Sequence, residues 1–190
     1  MQSIRKLSVL VAMTLGASAV MAGEIANSGV VSNGTVNTSG GFLATARQNV
    51  LVAEGNGKIE NTAVIANGAV NTAAGFLATA TQSIGRATGN GQIKRTAIVA
   101  QGLNNAAAGF LSTAEQSVGF ASGNGQVLDS FVAATGASNT AAGFLATARQ
   151  KIGGAQGNGQ LKNAQVFATG AVNTAGGFLS TADQSIGVAK

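Results

Sequence analysis

The sequence predicts an all-β fold, a repetitive β-solenoid or stacked β-arch of five 34-residue coils whose parallel strands lie in register. Three observations predict it. The ten residues Gly75-Phe76-Leu77-Ala78-Thr79-Ala80-Thr81-Gln82-Ser83-Ile84 recur almost unchanged, opening at Gly41, Gly75, Gly109, Gly143 and Gly177, and a fixed period of this length marks a repeat architecture. Within each copy, conserved columns alternate with variable ones at the two-residue period of a strand. Charged residues that meet at the 34-residue step are opposite in sign: Glu24 with Lys58, Glu60 with Lys94, Arg95 with Asp129, Glu115 with Arg149, and Arg149 with Asp183. In-register stacking predicts this, because like charges facing each other on neighbouring strands destabilise.

The chain opens on residues 1–22, where Arg5 and Lys6 precede an apolar run from Leu7 to Val20 and Val20-Met21-Ala22 ends on small residues. This pattern predicts a secretory signal peptide cleaved before Gly23, and the run is too short for a comfortable membrane span. Gly23 is in phase with Gly57, Gly91, Gly125 and Gly159. The remainder, 23–190, therefore divides into units 23–56, 57–90, 91–124, 125–158 and 159–190 of one domain, exported and without a membrane anchor.

Composition narrows the function. The chain has no cysteine, histidine, tryptophan, tyrosine or proline, and 9% of its residues are charged. Disulfide staples are thus excluded, and most of the usual acid-base and metal-ligating groups are missing. The net charge of +5 includes Arg5 and Lys6 of the leader, and what remains is too small and scattered to select nucleic acid. No cofactor and no metal site are expected. Catalysis would need converging carboxylates or bases, whereas Glu115, Asp129 and Asp183 fall in different coils beside opposite charges, so the chain reads as a non-enzyme.

Within one unit, Gly55-Asn56-Gly57 reads as a bend, because glycine and asparagine accept positive φ. A strand follows from about Thr62 to Gly68, with Thr62, Val64, Ala66 and Gly68 on the restricted parity. The segment from Gly68 to Gly75 reads as a second bend. The main strand then carries Phe76, Ala78, Ala80, Gln82 and Ile84 towards a core, while Thr81 and Ser83 occupy variable, outward columns. Leu77 and Thr79 share the outward parity and are nonetheless repeated. A helical repeat of the same length is disfavoured by the glycines and the many Thr, Val and Ile.

Stacking at this step predicts three ladders. Phe42, Phe76, Phe110, Phe144 and Phe178 form an aromatic column, Gln48, Gln82, Gln116, Gln150 and Gln184 an amide column, and Asn37, Asn71, Asn105, Asn139 and Asn173 a second amide column. Such columns satisfy amides and stack rings along the axis, as cross-β assemblies do. The first and last units carry the same strands as the middle ones, so neither end is capped by a distinct unit, and an unpaired strand edge templates further pairing. The sequence therefore predicts a head-to-tail homopolymer, with each end a binding site.

The block Gly68-Ala69-Val70-Asn71-Thr72-Ala73, followed by Gln82, and the blocks Asn71-Thr72-Ala73-Ala74-Gly75 and Asn139-Thr140-Ala141-Ala142-Gly143 resemble repeats of the bacterial functional amyloids, the curlin and Fap-type fibre proteins. That resemblance implies a secreted, cell-surface fibre of the biofilm matrix, exported through an outer-membrane pore and started by a nucleator. Two other readings compete. Thr45, Thr79, Thr113, Thr147 and Thr181 form the outward threonine rank of an ice-binding solenoid, although charged columns adjoin it. Residues 134–143, Ala-Thr-Gly-Ala-Ser-Asn-Thr-Ala-Ala-Gly, resemble a trimeric adhesin head.

Overall fold

A computed structural model describes residues 20–21, 24–55 and 57–189. The expected leader lies outside these residues except for Val20–Met21, and so does Asn56 of the first Gly-Asn-Gly bend. The chain is a parallel β-solenoid of five coils, each built from four strands, and every strand stacks on its counterpart 34 residues away.

Four sheets run the length of the stack. The first joins Glu24–Ala26, Lys58–Glu60, Gln92–Lys94, Gln126–Leu128 and Gln160–Lys162. The second joins Gly29–Asn33, Ala63–Asn67, Ala97–Gln101, Phe131–Thr135 and Gln165–Thr169, and the third Val36–Gly40, Val70–Ala74, Asn104–Ala108, Ser138–Ala142 and Val172–Gly176. The fourth is the longest, with Thr45–Ala53, Leu77–Ala87, Leu111–Gly123, Leu145–Gly157 and Leu179–Ile186, and Val20–Met21 pairs on its outer edge at Val52–Ala53.

The third sheet corrects the expected bend from Gly68 to Gly75. Gly68 alone turns the corner, at φ +60°, and Val70–Ala74 is extended with Asn71 and Ala73 buried. Asparagine and alanine are poor strand formers by propensity. Here in-register pairing with the equivalent segments of neighbouring coils overrides that preference.

Alternation places two apolar clusters inside. Ile59, Ile93 and Val127 pack with Val64, Ile98, Val132, Ile84, Val118 and Ile152 in one, and alanines such as Ala73, Ala107, Ala80 and Ala114 fill the other. Small side chains allow the third and fourth sheets to approach closely there. Gln82 stands in sequence between Ala80 and Ile84, and Asn71 between Ala69 and Ala73, so the amide columns run along the seam between the clusters.

A corner column not evident from the repeats is Asn27, Asn61, Arg95, Asp129 and Asn163, all left-handed with φ between 49° and 53°. Asn and Asp tolerate this conformation, whereas a long side chain is strained there. Arg95 donates from Nε to Asn61 Oδ1 at 2.7 Å and lies 3.4 Å from a Glu60 carboxylate oxygen. That exposed ion pair is worth less than about 1 kcal/mol. Arg95→Asn is therefore expected to raise stability by about 0.5–1 kcal/mol, read as a higher midpoint in urea.

Candidate functional site: the amide ladders and the open ends

Both amide columns form continuous hydrogen-bonded ladders, and they run in opposite directions. Asn37 Nδ2 donates to Asn71 Oδ1 at 2.8 Å, and Asn71, Asn105 and Asn139 each donate to the next asparagine towards the C-terminal end at 2.7 Å. The glutamines point the other way. Gln82 Nε2 donates to Gln48 Oε1 at 2.8 Å, Gln116 to Gln82 at 2.7 Å, Gln150 to Gln116 at 2.6 Å, and Gln184 to Gln150.

Backbone carbonyls fix these orientations. Asn105 Nδ2 also lies 3.2 Å from Ala80 O and 2.9 Å from Glu115 O, and Gln82 Nε2 lies 2.9 Å from Ala69 O. Flipping an amide would turn its oxygen against those oxygens. Asn71, Asn105, Asn139, Gln82 and Gln150 are fully buried, so each unsatisfied group would cost about 1–3 kcal/mol. The ladders thus combine amide satisfaction with a fixed polarity.

The C-terminal end of the stack is open, whereas Ala46, Gln48 and Val50 of the first coil are buried and Val20–Met21 pairs on its edge. In the last coil the inward column members Ala182, Gln184 and Ile186 are exposed, whereas their counterparts Ala148, Gln150 and Ile152 are buried. Backbone pairing stops with them. Gly34, Gly68, Gly102 and Gly136 donate to Asn67, Gln101, Thr135 and Thr169 in the coil above; Gly170 is the next member of that series and belongs to the top coil. The N-terminal end is more polar: Ser32, Thr35 and Ser39 replace residues that are apolar in every other coil, Ala66, Ala69 and Ala73 among them. Comparing inward columns coil by coil could have revealed these hydroxyls from sequence.

The phenylalanine column stacks as expected, with centroids 5.0–5.2 Å apart and planes within 12°. Its placement in the core is corrected. Phe42, Phe76, Phe110, Phe144 and Phe178 are 43–76% exposed and line the outside of the stack. The reason is local: Gly75 and Phe76 form a bend and the strand begins at Leu77, so strand parity does not reach back to the ring. Rings on the outer surface still gain from stacking on their neighbours.

Four of the predicted charge pairs fall in strand register, with close contacts between Glu60 and Lys94 at 4.0 Å and between Glu115 and Arg149 at 3.1 Å, whereas Arg95 and Asp129 lie at the corner outside the strands and do not pair with each other. Arg149 and Asp183 are register partners, as are Glu24 and Lys58. Arg95 turns to Asn61 and Glu60, and Asp129 accepts from Asn163 Nδ2 at 3.0 Å. Beside Arg149, Lys151 donates to Gln156 Oε1 at 2.7 Å and sits 4.9 Å above the Phe120 ring. Partial burial, opposed by the Glu115 carboxylate, holds Lys151 below the usual lysine pKa.

Sequence charge is confined to part of each coil: no Asp, Glu, Lys or Arg occurs in the second or third sheet. The rank Thr45, Thr79, Thr113, Thr147 and Thr181 lies on the fourth sheet, next to the column holding Arg47, Glu115, Arg149 and Asp183. No protein-family model, curated protein or solved structure matches the chain, so its role has to be argued from this geometry.

Proposed function

We propose that the chain is a secreted structural subunit that polymerises end to end into an amyloid-like extracellular fibre, the role of the fibre proteins whose repeats it resembles. The observation that carries this reading is the unlidded stack: the last coil presents Ala182, Gln184 and Ile186 to solvent at positions buried in the coils below. Open strand edges recruit further strands. Solenoids that stay monomeric cover their ends with polar caps, and among the described residues the last coil carries no such unit.

The role is structural rather than catalytic in this reading, because Glu115 is engaged by Arg149 and Asp129 and Asp183 lie on other coils. Export through an outer-membrane pore, a nucleating partner and a place in the biofilm matrix follow from the same resemblance and belong to this proposal.

The test is assembly of the purified chain starting at Gly23, followed by thioflavin fluorescence and fibre diffraction. Fibres with a strand spacing of about 4.8 Å along the axis are expected, and a chain that stays monomeric at high concentration would refute the reading. The full chain is expected to assemble more slowly. Its Val20–Met21 pair occupies the edge at Val52–Ala53, where an added coil has to dock. Equal lag times for the two forms would show that this pairing does not compete with assembly.

A further inference from the structure

We propose that copies join in one polarity and one register, so that the fifth coil of one copy stacks on the first coil of the next as if the 34-residue step had continued. This rests on the end-to-end reading and specifies its interface.

The ladders supply the polarity. In the buried ladder Asn37, Asn71, Asn105 and Asn139 each donate towards the C-terminal end, so Asn37 presents Oδ1 at the bottom, and Asn173 Nδ2, which meets Ala148 O at 3.0 Å and Asp183 O at 2.8 Å as its counterparts meet theirs, is the ladder's donor at the top of the stack. The glutamine ladder is reversed, so Gln184 presents Oε1 at the top. At the bottom Gln48 Nε2 donates to Thr35 Oγ1 at 2.7 Å and to Thr35 O at 3.3 Å. In the next coil Gln82 keeps the equivalent backbone acceptor, Ala69 O, and gives its other hydrogen to Gln48. Thr35 Oγ1 therefore stands where the glutamine of another copy belongs, and the column is apolar at Ala69, Leu103, Ala137 and Ala171. A top face meeting a bottom face matches donors with acceptors in both ladders. Two like faces would set donor against donor in one ladder and acceptor against acceptor in the other.

Side chains supply the register. Continuing the step places Asn173 over Asn37, Gln184 over Gln48, Phe178 over Phe42, Val166 over Val30 and Thr181 over Thr45. Within the paired strands the two charges that meet are Asp183 of one copy and Arg47 of the next, which are opposite and extend the alternation of Glu115, Arg149 and Asp183. A shift of one residue would invert every side chain.

The chain has no cysteine, so engineered thiols report this junction cleanly. Thr45 and Thr181 are exposed, at opposite ends of the same fourth-sheet column. Four coil steps of about 4.8 Å separate them within a copy, whereas one step separates them across the proposed junction, which suits a disulfide. The variant T45C/T181C, starting at Gly23, is oxidised after assembly and run on a non-reducing denaturing gel. A ladder of covalent multimers is expected, with T45C and T181C alone remaining monomeric. Covalent dimers from either single variant would overturn the polarity, because like faces would then be in contact. Fibres of the double variant that do not cross-link would overturn the register and leave end-to-end assembly standing. If the cysteine-free chain forms no fibres, the underlying reading fails instead.

Discussion

Gly109→Ala is expected to destabilise the fold by more than about 4 kcal/mol, enough to leave most of the chain unfolded under conditions where the wild type is native. A Cβ at Gly109 would stand 1.7 Å from the carbonyl oxygen of Gly75 and 2.9 Å from its carbonyl carbon. The obstacle is main chain and cannot rotate away. Gly75 is held by its own bond to Ala108 O at 2.9 Å, and Gly109 by its bond to Ala142 O at 2.9 Å. Relieving the clash means separating two coils, which forfeits strand pairing on both sides. The same column meets the same obstacle at Gly75 and Gly143, at 1.8 and 1.7 Å, which is why glycine recurs there. Gly29→Ala is the control, since nothing lies within 4 Å of its Cβ position. Urea midpoints of the two variants decide the matter. A Gly109→Ala chain as stable as Gly29→Ala would mean that the coils do not stack this closely.

Asn105→Asp is expected to cost about 3–5 kcal/mol at neutral pH, and its penalty should shrink in acid. Asn105 is fully buried, and its Nδ2 faces Ala80 O at 3.2 Å, Glu115 O at 2.9 Å and Asn139 Oδ1 at 2.7 Å. A carboxylate would turn an oxygen towards three acceptors and be buried as a charge without a cation. Both effects favour the neutral acid, so the carboxyl pKa in the folded variant rises above its unfolded value of about 3.9. Between those two values the folded state holds the extra proton, so stability falls as pH rises through that window and levels off above it. Recovery in acid, measured as the stability difference from wild type against pH, distinguishes this cause from a packing defect. Asn173→Asp at the open end, where the side chain is only half-buried, should show a much smaller effect. Similar losses at both sites would mean that the ladder interior is no drier than its end.

Much of this was legible in the chain itself. The register was readable because the repeat has no insertions, and Val64 facing Ile98, Gln82 facing Gln116 and Glu115 facing Arg149 follow directly from the step. The inward parity of Ala78, Ala80, Gln82 and Ile84 was readable because columns that barely change alternate there with variable ones across five copies, although invariance alone does not mark burial, as the exposed Phe76 column shows.

The sequence by itself determined the number of coils, their step and the inward turn of Ala78, Ala80, Gln82 and Ile84, because periodicity of two and of thirty-four are both properties of order along the chain, but it placed Ser83 outside where the structure buries it. Only the tertiary structure decided that Val70–Ala74 is a strand, that Phe76 and its counterparts lie outside, and that the asparagine and glutamine ladders point in opposite directions. These depend on where a bend ends and on which carbonyl an amide nitrogen meets across the coil. Such distances are set by closing the chain into a ring, and a column of identical residues carries no record of them.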